Sequence, residues 1–135
     1  MSPSVDLQTV IFEVLIADAA VAGLVQGRVY DNVPSAPPPY PYISFGPSDY
    51  ELSRPDGMRM RTETFQIDGW VSESGKKRPA RVLCDAIARA LDEHEADMGD
   101  SALVRMRVTS VRVLDDPSGI RAHGVVTIEA PIEES

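Results

Sequence analysis

Gly27-Arg28-Val29-Tyr30-Asp31-Asn32-Val33-Pro34, a proline-rich spacer, and Tyr40-Pro41-Tyr42-Ile43-Ser44-Phe45-Gly46 form the stretch that decides the fold of this chain. It reads as a short strand, a stiff loop and a second strand rich in β-branched and aromatic residues. Pro34, Pro37, Pro38, Pro39 and Pro41 forbid helix between 32 and 41 and leave few donors for a strand ladder. Two strands joined by an extended, semi-rigid loop therefore sit near the start of the chain. The stretch holds no catalytic or nucleotide-binding pattern.

Working back toward the N-terminus, Leu7, Val10, Ile11, Val14 and Leu15 recur at helical spacing and form one apolar stripe. Ser2 or Ser4 suits the cap of that helix, with Pro3 tolerated in its first turn, and Asp18 suits the cap of a second short turn over 19–23. Working forward, Gly46, Pro47, Pro55 and Asp56-Gly57 mark 46–59 as a long loop. A loop of that length in a small domain is usually functional or flexible. Residues 47–59 are expected to be disordered in the free chain and to order on assembly.

Residues 60–71 alternate. Met60, Thr62, Thr64, Gln66 and Asp68 share one face; Arg61, Glu63, Phe65, Ile67 and Gly69 share the other, and Phe65 and Ile67 mark the core side. A turn over 72–75 leads to a second helix near Pro79, with Ala80, Leu83, Cys84, Ile87 and Leu91 as its buried stripe. A strand follows over 103–114. Its apolar phase slips by one residue near Ser110, which predicts a β-bulge at Thr109 or Ser110. Asp115-Asp116-Pro117-Ser118-Gly119 is a hairpin turn, and the last strand places Ala122, Gly124, Val126 and Ile128 on one face until Pro131. The expected fold class is α+β: one domain over 1–135, an antiparallel sheet of about four main strands, and two amphipathic helices packed on one face.

Composition limits the functions open to such a domain. The 135 residues are 43% apolar and 25% charged, ordinary globular usage that supports one core. A formal net charge of −8 argues against a protein that coats nucleic acid, since that binding neutralises phosphates with Lys and Arg. One cysteine, Cys84, leaves no internal disulfide framework. The start of the chain lacks a signal-peptide pattern, and no apolar run approaches the ~20 residues that span a bilayer. The expectation is a protein made in a reducing cytoplasm, with no membrane partner.

Candidates for chemistry are weak. His94 falls in an acidic link and His123 on the last strand, both read as surface histidines, with no nucleophile arranged beside them. Cys84 falls on an apolar stripe, so a buried, inert thiol is expected. Two scattered histidines and one cysteine do not make a zinc site. Ser74-Gly75-Lys76-Lys77 lacks the upstream glycine of a phosphate loop. No enzymatic activity, cofactor or metal is expected.

The order of the pieces resembles a known assembly family. The carriers are Leu7-Gln8 with the apolar helix after it, Gly27-Arg28-Val29-Tyr30-Asp31, Val33-Pro34, Tyr40-Pro41-Tyr42-Ile43, Phe45-Gly46, Asp68-Gly69-Trp70, Ala86-Ile87, Ala90-Leu91 and Asp116-Pro117-Ser118-Gly119. Over roughly 5–130 the chain resembles the tail-completion or tail-terminator proteins of long-tailed bacteriophages and gene transfer agents. The resemblance implies a ring-forming virion subunit, usually a homohexamer, assembled in the bacterial cytoplasm and placed at the tail or neck. Such a ring caps the tail tube, ends its growth and joins the tail to the head connector. Its partners would be itself, the tube protein and the connector, with DNA passing through without specific binding. The alternative reading is a small cytoplasmic α+β ligand-binding or regulatory domain.

Several residues suit a ring. Lys76, Lys77 and Arg78 crowd the start of the second helix, and Asp92, Glu93, Glu95 and Asp97 its end, each sign opposite to what the helix dipole favours. In a head-to-tail ring the two clusters could meet across subunits; otherwise they are solvated surface charges. Tyr30, Tyr40, Tyr42 and Tyr50 are candidate interface residues, the alternative being that they pack loops onto their own sheet. Arg54, Met58, Arg59 and Met60 suit a docking surface at the loop tip. Asp49, Glu51, Asp56 and Glu63 are candidates for lining a channel that repels DNA, or else are solubility charges.

Overall fold

The computed structural model describes residues 2–72, 76–103, 105–117, 119 and 121–134. Helix α1 spans Pro3–Ala17, and Ser2 caps it by accepting from the Val5 amide at 3.3 Å. Asp18 ends α1 and caps α2, Ala19–Val25, through a 3.0 Å bond from the Val21 amide. Strand β1 is Val29–Tyr30, β2 is Tyr42–Ser53, and a single 3₁₀ turn at Pro55–Gly57 leads into β3, Met60–Val71. Helix α3 covers Arg78–Leu91. Strands β4, Ala96–Met98, β5, Ser101–Leu103, β6, Arg107–Asp115, and β7, Ala122–Glu134, complete the chain.

The fold class is mixed α+β, and its sheet is larger than the four strands expected. Among the described residues seven strands run in the order β1-β2-β3-β7-β5-β4, with β6 also on β7. Pairing is antiparallel throughout except for β1 on β2. Four differences enlarge it, one being β4 over Ala96–Met98, where a loose acidic link was expected. The expected loop over 46–59 is mostly strand: β2 continues to Ser53 after a register shift between Phe45 and Ser48. A bulge absorbs Gly46 and Pro47, so the turn residues mark an irregularity inside a strand and not its end. β7 runs through Pro131, which pairs with Thr62, and on to Glu134. Finally, the strand expected over 103–114 is divided, and β5 pairs with a different part of β7 from β6. The predicted bulge is present, as a register shift between Val108 and Ser110. The turn read at 73–75 and the readings at Val104, Ser118 and Ile120 lie outside the described residues.

The helices share one face of the sheet, over a core that includes Leu7, Ile11, Leu15, Ile43, Phe65, Ile67, Leu83, Ile87, Val126 and Ile128. Gly69 and Gly124 are direct cross-strand partners at its centre. A Cβ on Gly69 would lie 2.9 Å from Leu83 Cδ2, and one on Gly124 would collide with Cys84 Sγ. Two glycines side by side thus let α3 sit directly on the β3–β7 ladder. Burial pushes the Cys84 thiol up to about 11, so it carries no thiolate at neutral pH.

Gly124→Ala is expected to destabilise the fold by about 1–3 kcal/mol through overpacking. In urea unfolding, adding Cys84→Ala should recover much of that loss by making room for the methyl group. Equal stability of Gly124→Ala and the parent would contradict the close contact.

Candidate assembly interface

The β2–β3 hairpin forms an arm at one end of the sheet: β3 is paired with β7 along its whole length, and the turn over 54–59 extends past the β2–β3 ladder. Every residue of 48–53 is exposed. Asp49, Tyr50, Glu51, Arg54, Asp56, Met58 and Arg59 all lie on it, so the structure gathers most of the expected loop candidates in one element. Met60 is half-buried where β3 begins. Glu63 departs from its expected place. It is 1% exposed and held by Arg61 Nη1 at 2.9 Å and by the Ser4 hydroxyl, so it presents no open carboxylate to a channel. The alternation that placed it on the core side with Arg61 is correct; the two charges tolerate burial because they satisfy each other.

Arg61 sits opposite Leu52, beside the turn of the arm. Its Nη1 also donates to Ser4 Oγ at 3.0 Å, its Nη2 to Glu134 Oε1 at 3.1 Å, and its guanidinium lies 3.8 Å from the Tyr50 ring centre. One side chain thereby ties α1, β2, β3 and β7 together. Burial opposes the Arg61 charge, but hydrogen bonds to Glu134 and Glu63 outweigh it and hold the pKa above the ordinary value. Hydrogen bonds from Arg61 and Arg59 in turn hold the Glu134 carboxyl below its usual range.

The other tyrosines are elsewhere. On the face away from the helices, rings run Tyr30–Tyr42 at 6.0 Å, Tyr40–Tyr42 at 5.2 Å, Tyr42–Trp70 at 6.4 Å and Trp70–His123 at 3.9 Å. Trp70 Nε1 donates to Ser44 Oγ, and His123 Nε2 lies 2.9 Å from Asp68 Oδ1. Tyr42 is buried in this row, and burial with the neighbouring Tyr40 pushes its phenol up. His123 is therefore a packed, half-buried group, not the surface histidine expected. Its row was hidden because Tyr42, Trp70 and His123 come from three strands that only the register brings together.

The charges at the ends of α3 have partners within the chain. Lys77 pairs with Asp115 at 2.9 Å, Arg105 bridges Glu93 and Glu95 at 3.1 Å each, and Asp92 accepts from the Val108 amide at 2.9 Å. These contacts offset the adverse dipole locally. Lys76 and Arg78 remain exposed, and about 21 Å of helix separates the two clusters.

Two features were not singled out from the sequence. Val5, Phe12 and Ile16 form an exposed stripe on α1 beside the buried Leu7, Ile11 and Leu15, and the polar side of the helix carries Asp6, Thr9 and Glu13. The apolar face is thus wider than the buried stripe alone. Besides the short strands β1 and β4 that end the sheet, two longer edges are also open: among the described residues no strand pairs with the outer side of β2 beyond Ser44, or with the outer side of β6. An open depression of about 600 Å³ beside the start of α3, reached by Tyr40, Lys76, Arg78 and Val82, brings no nucleophile and base together. Among the described residues no group of His, Cys, Asp and Glu could hold a metal ion. No single described helix is long and apolar enough to cross a membrane.

The family model described as "Tail completion protein gp17" matches residues 9–133, and the chain belongs to that family. It is thus a structural subunit of a phage-like particle. Among solved structures, a chain in the virion of a native gene transfer agent particle has the same fold, with a TM-score of 0.86, 24% identity and 94% of each chain covered. No curated protein matches by sequence.

Removing the Glu134 charge tests the ion pairs at the tip end of the arm. A carboxyl held low contributes stability that is present above its ordinary value of 4.5 and lost as pH falls through the lowered one. Glu134→Gln should cost about 1 kcal/mol at pH 7, discounted because Arg59 is half-exposed and solvent screens it. In melts from pH 7 to 3 the gap to the parent should close in the acid range; a gap of constant size would contradict the pairing.

Proposed function

We propose that this chain is the subunit of a ring, six copies in our reading, that closes the end of a tail tube, stops its growth and joins it to the head connector. The ring belongs to the tail or neck of the particle and is assembled in the bacterial cytoplasm. The observation that carries the reading is the surface of the single subunit. Val5 on α1 is 62% exposed, and Tyr50 and Leu52 on the arm are 46% and 44% exposed. Apolar groups this open mark contact surfaces when they cluster on projecting elements. A subunit with two different contact patches joins head to tail and closes into a ring when the rotation permits.

The charge of −8 suits the hole of such a ring. Carboxylates facing it repel phosphate, and DNA slides past without adhering. Asp56 at the arm tip is available for that role, and so are Asp49 and Glu51 wherever no cation of a neighbouring copy pairs with them; Glu63 is not. The tube and the connector would meet the two rims, where the arm tip with Arg54, Met58 and Arg59 suits a protein partner. Catalysis has no part in this reading.

Light scattering on the purified chain, alone and with tail tubes, tests it. A particle of six times the 14.7 kDa chain mass, formed alone or on the tubes, is expected. A chain that stays monomeric in both conditions contradicts the reading.

A further inference from the structure

The two open strand edges carry opposite chemistry in matching alternation. On the arm, register places Asp49 and Glu51 on the face away from the helices and Tyr50 and Leu52 on the helix face. On β6, Arg107, Ser110 and Arg112 share the face away from the helices, and Val108, Val111 and Val113 share the helix face. Val111 is 41% exposed, with no described strand on its outer side, like Tyr50 and Leu52.

We infer that the outer edge of β2 in one copy pairs antiparallel with the outer edge of β6 in the next, so that the sheet continues from subunit to subunit. The occupant of each edge is a second copy of this chain, an inference that rests on the self-assembly in the proposed function. Strand direction agrees. β2, β3, β7 and β6 are successive antiparallel neighbours, so β2 and β6 run in opposite senses. Copies repeated side by side in one orientation therefore bring β2 against an oppositely directed β6, which forms a regular ladder.

The alternation selects one register. With Asp49 opposite Arg112, Tyr50 falls opposite Val111 and Glu51 opposite Ser110. Opposite charges then meet on one face, with Arg112 also diagonal to Glu51, and an aromatic residue meets a β-branched one on the other. A slip of one residue would put apolar groups among the charges.

Charge also excludes the wrong pairings. Two β2 edges would set Asp49 and Glu51 against their own kind, and two β6 edges would do the same with Arg107 and Arg112. Self-complementary dimers are disfavoured and head-to-tail contacts favoured, which is what a closed ring requires. The pairing gives Arg112 a carboxylate neighbour, while Arg107 has Glu129 across the strand in its own chain.

Cysteine pairs test the register. Directly opposed residues have Cα atoms about 4.5–5.5 Å apart, within disulfide range. Cys84 is buried and its thiol is unreactive at neutral pH, so it does not interfere. Under mild oxidation Glu51→Cys with Ser110→Cys should give a ladder of covalent multimers, and each single variant should give none. Multimers by light scattering without such a ladder would overturn the edge pairing and leave the ring standing. Absence of multimers for the parent chain, alone and on tubes, would overturn both. As a second arm, a chain with Asp49→Arg and Glu51→Arg, and another with Arg107→Glu and Arg112→Glu, should each fail to assemble alone and assemble when mixed. Assembly of each alone, or failure of the mixture while the parent assembles, would contradict the inference.

Discussion

The contact of α3 with the sheet at Gly69 and Gly124 is the constraint on which the rest of the structure depends. Two glycines opposite each other on β3 and β7 remove the side chains that would hold the helix away. Leu83, Cys84 and Ile87 then fill the space directly above the ladder and are fully buried. With α3 seated so closely, α1 and α2 pack beside it and cover the same face. The helices thus cover one part of the sheet only. Among the described residues β2 beyond Ser44 and β6 have no strand on their outer sides.

The arm is not a free two-stranded ribbon, since β7 pairs with β3 along its whole length. Arg61 fixes its tip end, with partners on α1, β3 and β7 and its guanidinium over Tyr50 of β2. The burial of Arg61 and Glu63 costs desolvation, which their mutual pairing and the bonds to Ser4 and Glu134 offset. The arrangement favours a defined arm direction over maximal stability. In the proposed ring, direction is what matters, because a strand edge pairs only when it is presented at the right angle and in register.

Much of this was legible in the sequence. Helical spacing located the stripes of α1 and α3, Ser2 and Asp18 announced the caps, and the slip in apolar phase near Ser110 announced the bulge. The residues quoted from Gly27 to Gly46 and from Asp68 to Trp70 pointed to the family that the chain belongs to. What misled was punctuation. Gly46, Pro47 and Pro131 read as ends of strands, yet each lies within one, because a bulge or a neighbouring strand tolerates a residue that a regular ladder would reject. Glu63 illustrates a second limit. Its position on the core side was readable, but its partners Arg61 and Ser4 were not, since Ser4 lies 59 residues away in the chain. The same holds for the row from Tyr42 through Trp70 to His123, which exists only once three strands are aligned.

Cryo-electron microscopy of tail tubes incubated with this chain tests the central claim most directly. The account predicts a closed ring of copies at one end of each tube, their sheets continuous from subunit to subunit and the tube wall bare. Single copies scattered along the wall, or rings whose subunits meet through other surfaces with both strand edges open, would contradict it.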